Sequence, residues 1–433
     1  MRQRDILRFW LPLFSSWLLM TAEGPIISAA INRLPHEVVM LAAMGVVFSL
    51  AIAIESPIIN LLATSTALVR DRQSFLIVRR FTVHWMIALT IVAVLIAFTP
   101  LFDLVVHRWL GTPDEVARWI LPGLQIMVPW SAAIAWRRFL QGVLISFGDT
   151  RKVAWGTAIR LVTSGGTAIG LAIRGSWPGI HIGAVALVIG VVAEAIFATV
   201  AVRPLLRREL AELSQPVPRS AEPLTYYRLF HFHLPLASTS VLTLLMQPMV
   251  AACLARLDRP VETLAAWPLV FQFMLLMRAV ALALPEAIIA LSQRPGSSAA
   301  LRRFSSTLAV ISFVVMAVFA STPLVGLYLD RVQSASPDVA SIARIGLLLF
   351  IPLPPLATLV AYLRGLSIHR HRTQAVNKAM LVRLAITAVV LAFGLASGWP
   401  GIATAAGALV ISLLGEWLYL AWQTRQGGAQ TPA

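Results

Sequence analysis

The chain has 433 residues, of which 58% are hydrophobic and 12% are charged, and its mean hydropathy is +0.80. This composition leaves too little polar surface to coat a water-soluble globule of that length. It argues against a soluble enzyme, and the single cysteine, Cys253, excludes an intramolecular disulfide scaffold. The class that remains is a polytopic membrane protein.

Segments long and apolar enough to cross a bilayer recur along the whole chain, since a transmembrane helix needs about 20 mostly apolar residues. The first six predicted spans fall at about 8–33, 38–68, 81–106, 117–146, 153–173 and 180–202. The next six fall at about 231–254, 263–292, 304–328, 340–366, 376–396 and 401–422. The sequence therefore predicts an all-α protein with 12 transmembrane helices.

The chain is a tandem repeat of two six-span halves. A shift of 223 residues superposes Leu11-Pro12-Leu13 on Leu234-Pro235-Leu236. After the loss of one residue, a shift of 222 superposes Trp177-Pro178-Gly179-Ile180 on Trp399-Pro400-Gly401-Ile402. Because six is an even number, both halves have the same orientation. They are predicted to form parallel lobes, related by a pseudo-two-fold axis along the membrane normal, around a central cleft.

The repeat and the composition together predict four segments. Residues 1–203 form the N-terminal six-helix lobe, and 204–227 form a polar, proline-containing cytoplasmic linker. Residues 228–425 form the C-terminal six-helix lobe, and 426–433 form a disordered tail.

The net charge of +16 does not indicate nucleic acid as a partner, because the basic residues are sorted by side of the membrane. Of the 35 lysines and arginines, 22 fall on one set of alternate loops and 8 on the other. By the positive-inside rule both termini are predicted to be cytoplasmic. The expected setting is a multi-pass protein of the inner (plasma) membrane, with the lipid bilayer as its partner.

Ten ionisable residues remain inside the predicted spans, where each costs about 2.5–3.5 kcal/mol near the bilayer centre. Arg160 and Glu194 lie on the fifth and sixth spans, at a similar depth of about 12–13 Å from the cytoplasmic ends. Arg383 and Glu416 repeat this arrangement in the second half. We interpret them as two structural ion pairs, one in each lobe; the alternative is a role in transport.

Other charges break the symmetry of the repeat. Glu55 in the second span superposes on Arg278 in the eighth, and Glu23 in the first span superposes on Met246, beside Gln247. Residues related by a two-fold axis approach one another only if they lie near it. We therefore predict that Glu55 and Arg278 meet across the cleft during alternating access; the alternative is that each pairs locally.

Two adjacent arginines of the fourth span, Arg137 and Arg138, have only Val360 and Ala361 at the equivalent positions. Together with Arg278 they predict a partly cationic cavity at mid-membrane. A guanidinium group matches phosphate, pyrophosphate or carboxylate groups, so the cavity favours a substrate of that class.

A proline follows each of two intramembrane glutamates, in Glu23-Gly24-Pro25 and in Glu55-Ser56-Pro57. Proline removes a helix hydrogen bond and kinks the helix, which exposes carbonyl groups beside a carboxylate. Such a position suits a coupling ion, H+ or Na+; the alternative is a kink with a satisfied glutamate.

The histidines of the chain do not predict a metal site or a cofactor. His231, His233, His369 and His371 lie at predicted cytoplasmic helix ends, with no cysteine or acidic residue at ligand spacing. The sequence contains no phosphate-binding loop or catalytic triad. We therefore predict that the protein is not an enzyme.

Short motifs resemble a known superfamily of membrane proteins. The two parallel six-span lobes, and Gly142 followed by Gly148-Asp149-Thr150-Arg151, are similar to MATE-type exporters and the wider MOP superfamily, which includes oligosaccharide-lipid flippases. Arg70-Asp71-Arg72 and Gly415-Glu416 resemble the progressive ankylosis protein branch, as does a third group of residues, Met40-Leu41-Ala42, Gly45, Ser49-Leu50, Pro57, Phe350, Pro352 and Pro354.

The resemblance implies a V-shaped cleft lined by the first, second, seventh and eighth spans, and it implies export. For the ankylosis branch it implies a small anion such as pyrophosphate, citrate or nucleotide. Drug exporters of the superfamily hold an acidic residue in the first span as a cation site, and Glu23 lies in a comparable stretch. The paired arginines depart from the pocket of a cationic-drug exporter.

The leading hypothesis is an alternating-access exporter of a small organic or phosphate-type anion, acting as a monomer. The alternatives are a lipid-linked oligosaccharide flippase, a MATE-type drug exporter and, more remotely, a membrane-embedded enzyme. The substrate-binding or ion-binding candidates are Glu23, Glu55, Arg137, Arg138, Gln247 and Arg278.

Overall fold

The computed structural model describes residues 2–212, 224–292, 296–370 and 372–428. Over these ranges the chain is helical and contains no strand, which confirms the predicted all-α class. The α-helices are α1 (Gln3–Ile31), α2 (Glu37–Glu55), α3 (Leu61–Leu68), α4 (Arg72–Phe98), α5 (Asp114–Met127), α6 (Trp130–Ser146), α7 (Thr150–Arg174), α8 (Gly179–Glu212), α9 (Tyr226–Leu244), α10 (Met246–Leu254), α11 (Pro260–Met277), α12 (Ala279–Leu282), α13 (Leu284–Leu291), α14 (Ser297–Ser321), α15 (Leu324–Gly326), α16 (Pro337–Leu349), α17 (Leu353–His369), α18 (Thr373–Ser397) and α19 (Gly401–Gly428).

The number of spans agrees with the sequence. Within the described ranges, 10 helical segments are long and apolar enough to cross a membrane, and the number rises to 12 if each of two bent pairs is one span. The pair α5 and α6 is bent by 41°, and the pair α16 and α17 by 45°. Pro129 and Pro352, which are equivalent in the repeat, precede α6 and α17 at the two bends. Proline disfavours a helical conformation in the residue before it, which accounts for both breaks.

The second and eighth spans, predicted as single segments, are interrupted at equivalent positions. The helix α2 ends at Glu55, and a 3-10 turn, Ser56–Ile58, leads towards α3. In the second half α11 ends at Met277, Arg278 caps it, and the short α12 follows. The interruption therefore places a charged residue at the end of a helix in each half. The residue is acidic in the first half and basic in the second half.

The described helices cluster into two compact units that differ from the predicted lobes. The larger unit comprises 1–45, 111–113 and 249–433, and the smaller unit comprises 46–110 and 114–248. The helix α1 belongs to the larger unit because it packs on α11, α12, α13 and α14. The helix α9 belongs to the smaller unit because it packs on α3, α4 and the 3-10 turn. The predicted lobe boundaries at 203 and 228 follow the sequence repeat, and they differ from the boundaries of the two packed units.

The predicted cytoplasmic linker and the predicted disordered tail are partly helical. The predicted linker begins at 204, but α8 continues to Glu212 and α9 begins at Tyr226. The predicted tail begins at 426, but α19 continues to Gly428. The remaining parts of these two predictions, 213–223 and 429–433, lie outside the described residues.

Each unit contains a hairpin of two long helices, and one fully buried glutamate lies on each hairpin. The helices α7 and α8 pair in the smaller unit, and α18 and α19 pair in the larger unit. Exposed apolar side chains cover the outer helices, for example Ile91 on α4 and Ile311 on α14, of which 52% and 51% of the surface is exposed. Apolar side chains in that position suit contact with lipid and agree with a multi-pass membrane protein.

Candidate functional site

The carboxylate of Glu55 lies in the core of the smaller unit, where α2 ends. Only 6% of Glu55 is exposed, and its Oε2 accepts a hydrogen bond of 2.5 Å from Nε1 of Trp130. Trp130 is the first residue of α6, next to the bend at Pro129. The interruption of the second span and the bend of the fourth thus bring these two side chains together.

The helix α9 secures the interruption of the second span from the side. Nε2 of His233 lies 2.9 Å from the carbonyl oxygen of Pro57, and its Nδ1 lies 2.9 Å from Oγ1 of Thr64. A carbonyl only accepts, so Nε2 is the donor. Nδ2 of Asn60 donates to Oγ of Ser240 at 2.6 Å. His233 is 1% exposed. Its structural role was not predicted from the sequence, where it was placed at a cytoplasmic helix end.

Glu194, fully buried on α8, has both carboxylate oxygens engaged by α6. Nη1 of Arg137 lies 3.0 Å from its Oε2, and Nε2 of Gln141 donates to its Oε1 at 2.8 Å. Cζ of Arg160, the partner predicted from the sequence, lies 5.7 Å from the ring centroid of Trp130. The pairing of Arg160 with Glu194 stays a prediction.

The equivalent glutamate of the larger unit, Glu416, is also fully buried and engaged on both oxygens. Nη1 of Arg383 lies 3.5 Å from its Oε2, so the two members of the predicted pair are in contact. Nε of Arg364 donates to its Oε1 at 2.5 Å, and Nη2 of Arg364 forms an ion pair with the same oxygen. Arg364 was counted among the 22 basic residues on one set of alternate loops, which is wrong, since it lies inside α17 and its side chain is 23% exposed.

The repeat could have identified Arg364. A shift of 223 residues places Gln141 on Arg364, and both donate to Oε1 of the glutamate of their own unit. The arginines that form ion pairs with Oε2, Arg137 and Arg383, are not equivalent, because they belong to the fourth and the eleventh span. One partner of each glutamate therefore follows the repeat and the other does not.

Positive charge exceeds negative charge in two clusters of buried and half-buried side chains. In the larger-unit cluster, which we define as Arg278, Arg364, Arg383 and Glu416, Arg278 lies within electrostatic range of the other three. Nε of Arg278 is buried and has no hydrogen-bond partner among the described residues. The cluster therefore contains three guanidinium groups and one carboxylate.

The smaller-unit cluster, defined as Glu55, Arg137, Arg138, Arg160 and Glu194, contains three guanidinium groups and two carboxylates. Glu55 lies within electrostatic range of all three arginines. Nε of Arg138 is buried and has no hydrogen-bond partner among the residues that the structure describes. The structure thus brings together three of the predicted site residues, Glu55, Arg137 and Arg138.

The remaining two candidates lie on other helices. Glu23, 6% exposed, lies in α1, which is helical through Pro25. Beside it, Gln272 of α11 packs against Gly24 and accepts a hydrogen bond of 2.6 Å from Ser28. Gln247 is half-buried in the first turn of α10. A role of either residue in ion or substrate binding stays a prediction.

Two further expectations concern pairs and ions. Glu55 belongs to the smaller unit and Arg278 to the larger unit, and a contact between them stays a prediction. Over the described ranges, no group of three or more histidine, cysteine or acidic residues is arranged to hold a metal ion.

Comparison with known proteins identifies the fold through structure. No protein-family model matches the sequence, and no curated protein matches it. An inward-facing multidrug resistance transporter of the MATE family is 13% identical with a TM-score of 0.69, and the match covers 96% of each chain. A MOP superfamily transporter from Pyrococcus furiosus is 14% identical with a TM-score of 0.67, and the match covers 99% of this chain and 97% of that one.

The lipid II flippase MurJ, in an inward closed conformation, is 13% identical with a TM-score of 0.73. That match covers 95% of this chain and 87% of the flippase. The chain therefore has the fold of the MATE transporters and of the wider MOP superfamily, as its motifs indicated. The progressive ankylosis branch stays a resemblance of short motifs.

Proposed function

We propose that this protein is an alternating-access membrane transporter that exports a small anion carrying phosphate or carboxylate groups. Pyrophosphate, citrate and nucleotides are the classes of substrate that we put forward. Support for transport comes from the shared fold, since the similar structures belong to transporters and a flippase. Support for an anion comes from the charges of this chain.

The excess of guanidinium groups over carboxylates in the two clusters, whose members are buried or half-buried, is the observation on which the proposal rests. A buried charge without a partner costs several kcal/mol. The larger-unit cluster has two more positive than negative groups, and the smaller-unit cluster has one more. A phosphate or carboxylate group that binds to Arg278 would offset part of this cost and would accept hydrogen bonds in the geometry that guanidinium favours.

The polarity of the pocket varies among proteins with this fold. The transporter from Pyrococcus furiosus is described as having a binding pocket of reverse polarity, which suggests a different function for that protein. The arginine-rich clusters of this chain suit an anion better than the cationic substrate of a drug exporter. We further propose that Glu23 or Glu55 binds the coupling ion, H+ or Na+.

A lipid-linked oligosaccharide flippase is the second candidate. It is favoured by the likeness to the lipid II flippase MurJ, with a TM-score of 0.73 over 95% of this chain. A pyrophosphate linkage would bind to the same arginines. The two candidates differ in what accumulates, a soluble anion outside the cell or a lipid-linked glycan on the opposite leaflet.

The proposal is tested by profiling the medium of cells that overproduce the protein and of cells that lack it. We expect one phosphate-bearing or carboxylate-bearing metabolite to accumulate outside the overproducing cells. Arg278→Gln should lower its rate of export by about 10- to 100-fold, which corresponds to the loss of one charged hydrogen bond. Arg118→Gln, at an exposed position of α5, removes the same charge and should leave export unchanged.

Protein levels and monodispersity on size-exclusion chromatography must match for both variants. Loss of a lipid-linked glycan, with no anion in the medium, would replace the exporter by the flippase. Equal export by wild type and Arg278→Gln would contradict the assignment of Arg278.

A further inference from the structure

The larger unit contains a cavity of about 520 Å³ that the proposed transport function does not use. It lies between the first turns of α14, the last turns of α17 and the last turns of α19. Each of these helices contributes one arginine to the cavity lining, Arg302, Arg370 and Arg425 respectively. The cavity therefore opens where the predicted cytoplasmic ends of three helices meet.

The three arginines are exposed and have no carboxylate partner among the described residues. Tyr362, which also lines the cavity, lies within electrostatic range of both Arg302 and Arg370. Ser298 adds a hydroxyl group to the lining. Guanidinium and hydroxyl donors in this arrangement suit a phosphate group.

The deeper part of the same cavity is apolar. Leu359 and Leu363 of α17 and Trp417 of α19 line it. Leu359 precedes Arg370 by 11 residues, which corresponds to about 16 Å along a helix. The lining thus changes from basic to apolar along the helices, as the polar headgroup and the acyl chains of a phospholipid do. A soluble phosphate would leave the apolar part without an occupant.

The smaller unit offers an internal comparison. Its equivalent helices α4, α6 and α8 enclose a cavity of about 240 Å³ with a nearly apolar lining. Phe75 and Phe139 stand at the positions of Ser298 and Tyr362, and their rings pack at 5.3 Å between centroids. Aromatic rings therefore fill the place that remains open in the larger unit.

The charges at the equivalent helix positions of the two units differ in one place. Arg79 and Arg203 are equivalent to Arg302 and Arg425, whereas Phe147 is equivalent to Arg370. The third arginine and the open space are thus found together in the larger unit. The ends of the equivalent helices in the smaller unit have neither feature, so the two features together distinguish the cavity of the larger unit.

We propose that the cavity between α14, α17 and α19 binds an anionic phospholipid, with its headgroup on Arg302, Arg370 and Arg425 and its acyl chains along Leu359, Leu363 and Trp417. Positive side chains at a membrane surface attract anionic lipid, and the apolar lining selects a lipid over a free phosphate. The site shares no residue with the two charged clusters and does not depend on the transported substrate.

Native mass spectrometry of the full-length protein with added dioleoylphosphatidylglycerol tests the proposal, with dioleoylphosphatidylcholine as the reference lipid. The wild type should retain the anionic lipid in preference to the zwitterionic one. The double variant Arg302→Gln/Arg370→Gln should lower retention by about 30-fold, since each surface arginine contributes about a factor of 5. The matched double variant Arg79→Gln/Arg203→Gln removes two charges at equivalent positions and should retain the lipid.

A second variant guards against misfolding of the arginine variant. Ser298→Phe copies Phe75 of the smaller unit, leaves all arginines in place, and should also lower retention. Equal retention by wild type and both larger-unit variants overturns the proposal, and so does equal loss in the matched control. Displacement of the anionic lipid by inorganic phosphate alone, or a concentration-dependent dimer in its place, overturns it as well.

Discussion

The buried glutamates Glu194 and Glu416 show how a duplicated sequence satisfies the same group in two ways. In both units a donor at one equivalent position, Gln141 or Arg364, engages Oε1. The ion-pair partner of Oε2 comes from α6 in the smaller unit and from α18 in the larger unit. A buried carboxylate must have partners on both oxygens, and that requirement is met although the residues that meet it differ.

The contact of Arg364 predicts a difference between two substitutions. Arg364→Ala leaves Oε1 of Glu416 without its donor and should lower the free energy of unfolding by about 3–5 kcal/mol. Arg364→Gln should cost about 1 kcal/mol, because the amide can donate as Gln141 does in the smaller unit. Thermal unfolding of the purified protein in detergent measures both, and equal losses would show that this hydrogen bond does not stabilise Glu416.

At the scale of helices, each interrupted span packs closely on the helix that follows a bend. The second span packs on α6, and the eighth span packs on α17. Gly142 of α6 packs against the backbone of α3, and Gly365 of α17 packs against α13. A Cβ atom at Gly142 would lie 2.5 Å from the carbonyl oxygen of Leu62. A Cβ atom at Gly365 would lie 2.8 Å from Cβ of Ile288. Glycine at these two equivalent positions therefore permits the close approach.

We expect Gly365→Ala to destabilise the protein by about 1–3 kcal/mol, because the added methyl group overlaps α13. Gly407→Ala is the matched control, since nothing lies within 4 Å of a Cβ atom at that position in α19. That control should be neutral or more stable by up to about 1 kcal/mol, as alanine favours a helix over glycine. Melting temperatures of the two variants, measured side by side, test the difference; a neutral Gly365→Ala would contradict the close packing.

At the scale of the whole molecule, the sequence predicted what depends on length and apolarity and missed what depends on packing. The bilayer fixes the length of an apolar helix, so the twelve spans and the repeat could be predicted from the sequence. The pairing of Arg383 with Glu416 followed from their common depth. The roles of His233 and Trp130 could not be predicted, because they depend on which faces of α9 and α6 pack against the interrupted second span.

The packing of α1 in the larger unit predicts how fragments behave. A fragment of residues 224–433 lacks the helix that contacts α11, α12, α13 and α14, and should be degraded when it is produced alone. Co-production of residues 1–45 should raise its level, because that segment supplies α1 to the larger unit. Immunoblots of membrane fractions measure the level, and co-production of a 1–45 segment with Ser28→Leu, which removes the hydrogen bond to Gln272, should rescue it less. A stable fragment without residues 1–45 would contradict this role of α1.

Because α1 is made long before its packing partners α11, α12, α13 and α14, the order of synthesis matters for biogenesis. When the ribosome releases α1 into the membrane, the side chain of Gln272 that accepts the hydrogen bond of Ser28 is still more than two hundred codons away. The nascent helix must hold its buried glutamate in lipid, or against the insertion machinery, until translation reaches the second half. Cellular quality control therefore has a long time during translation in which to recognise an incomplete chain.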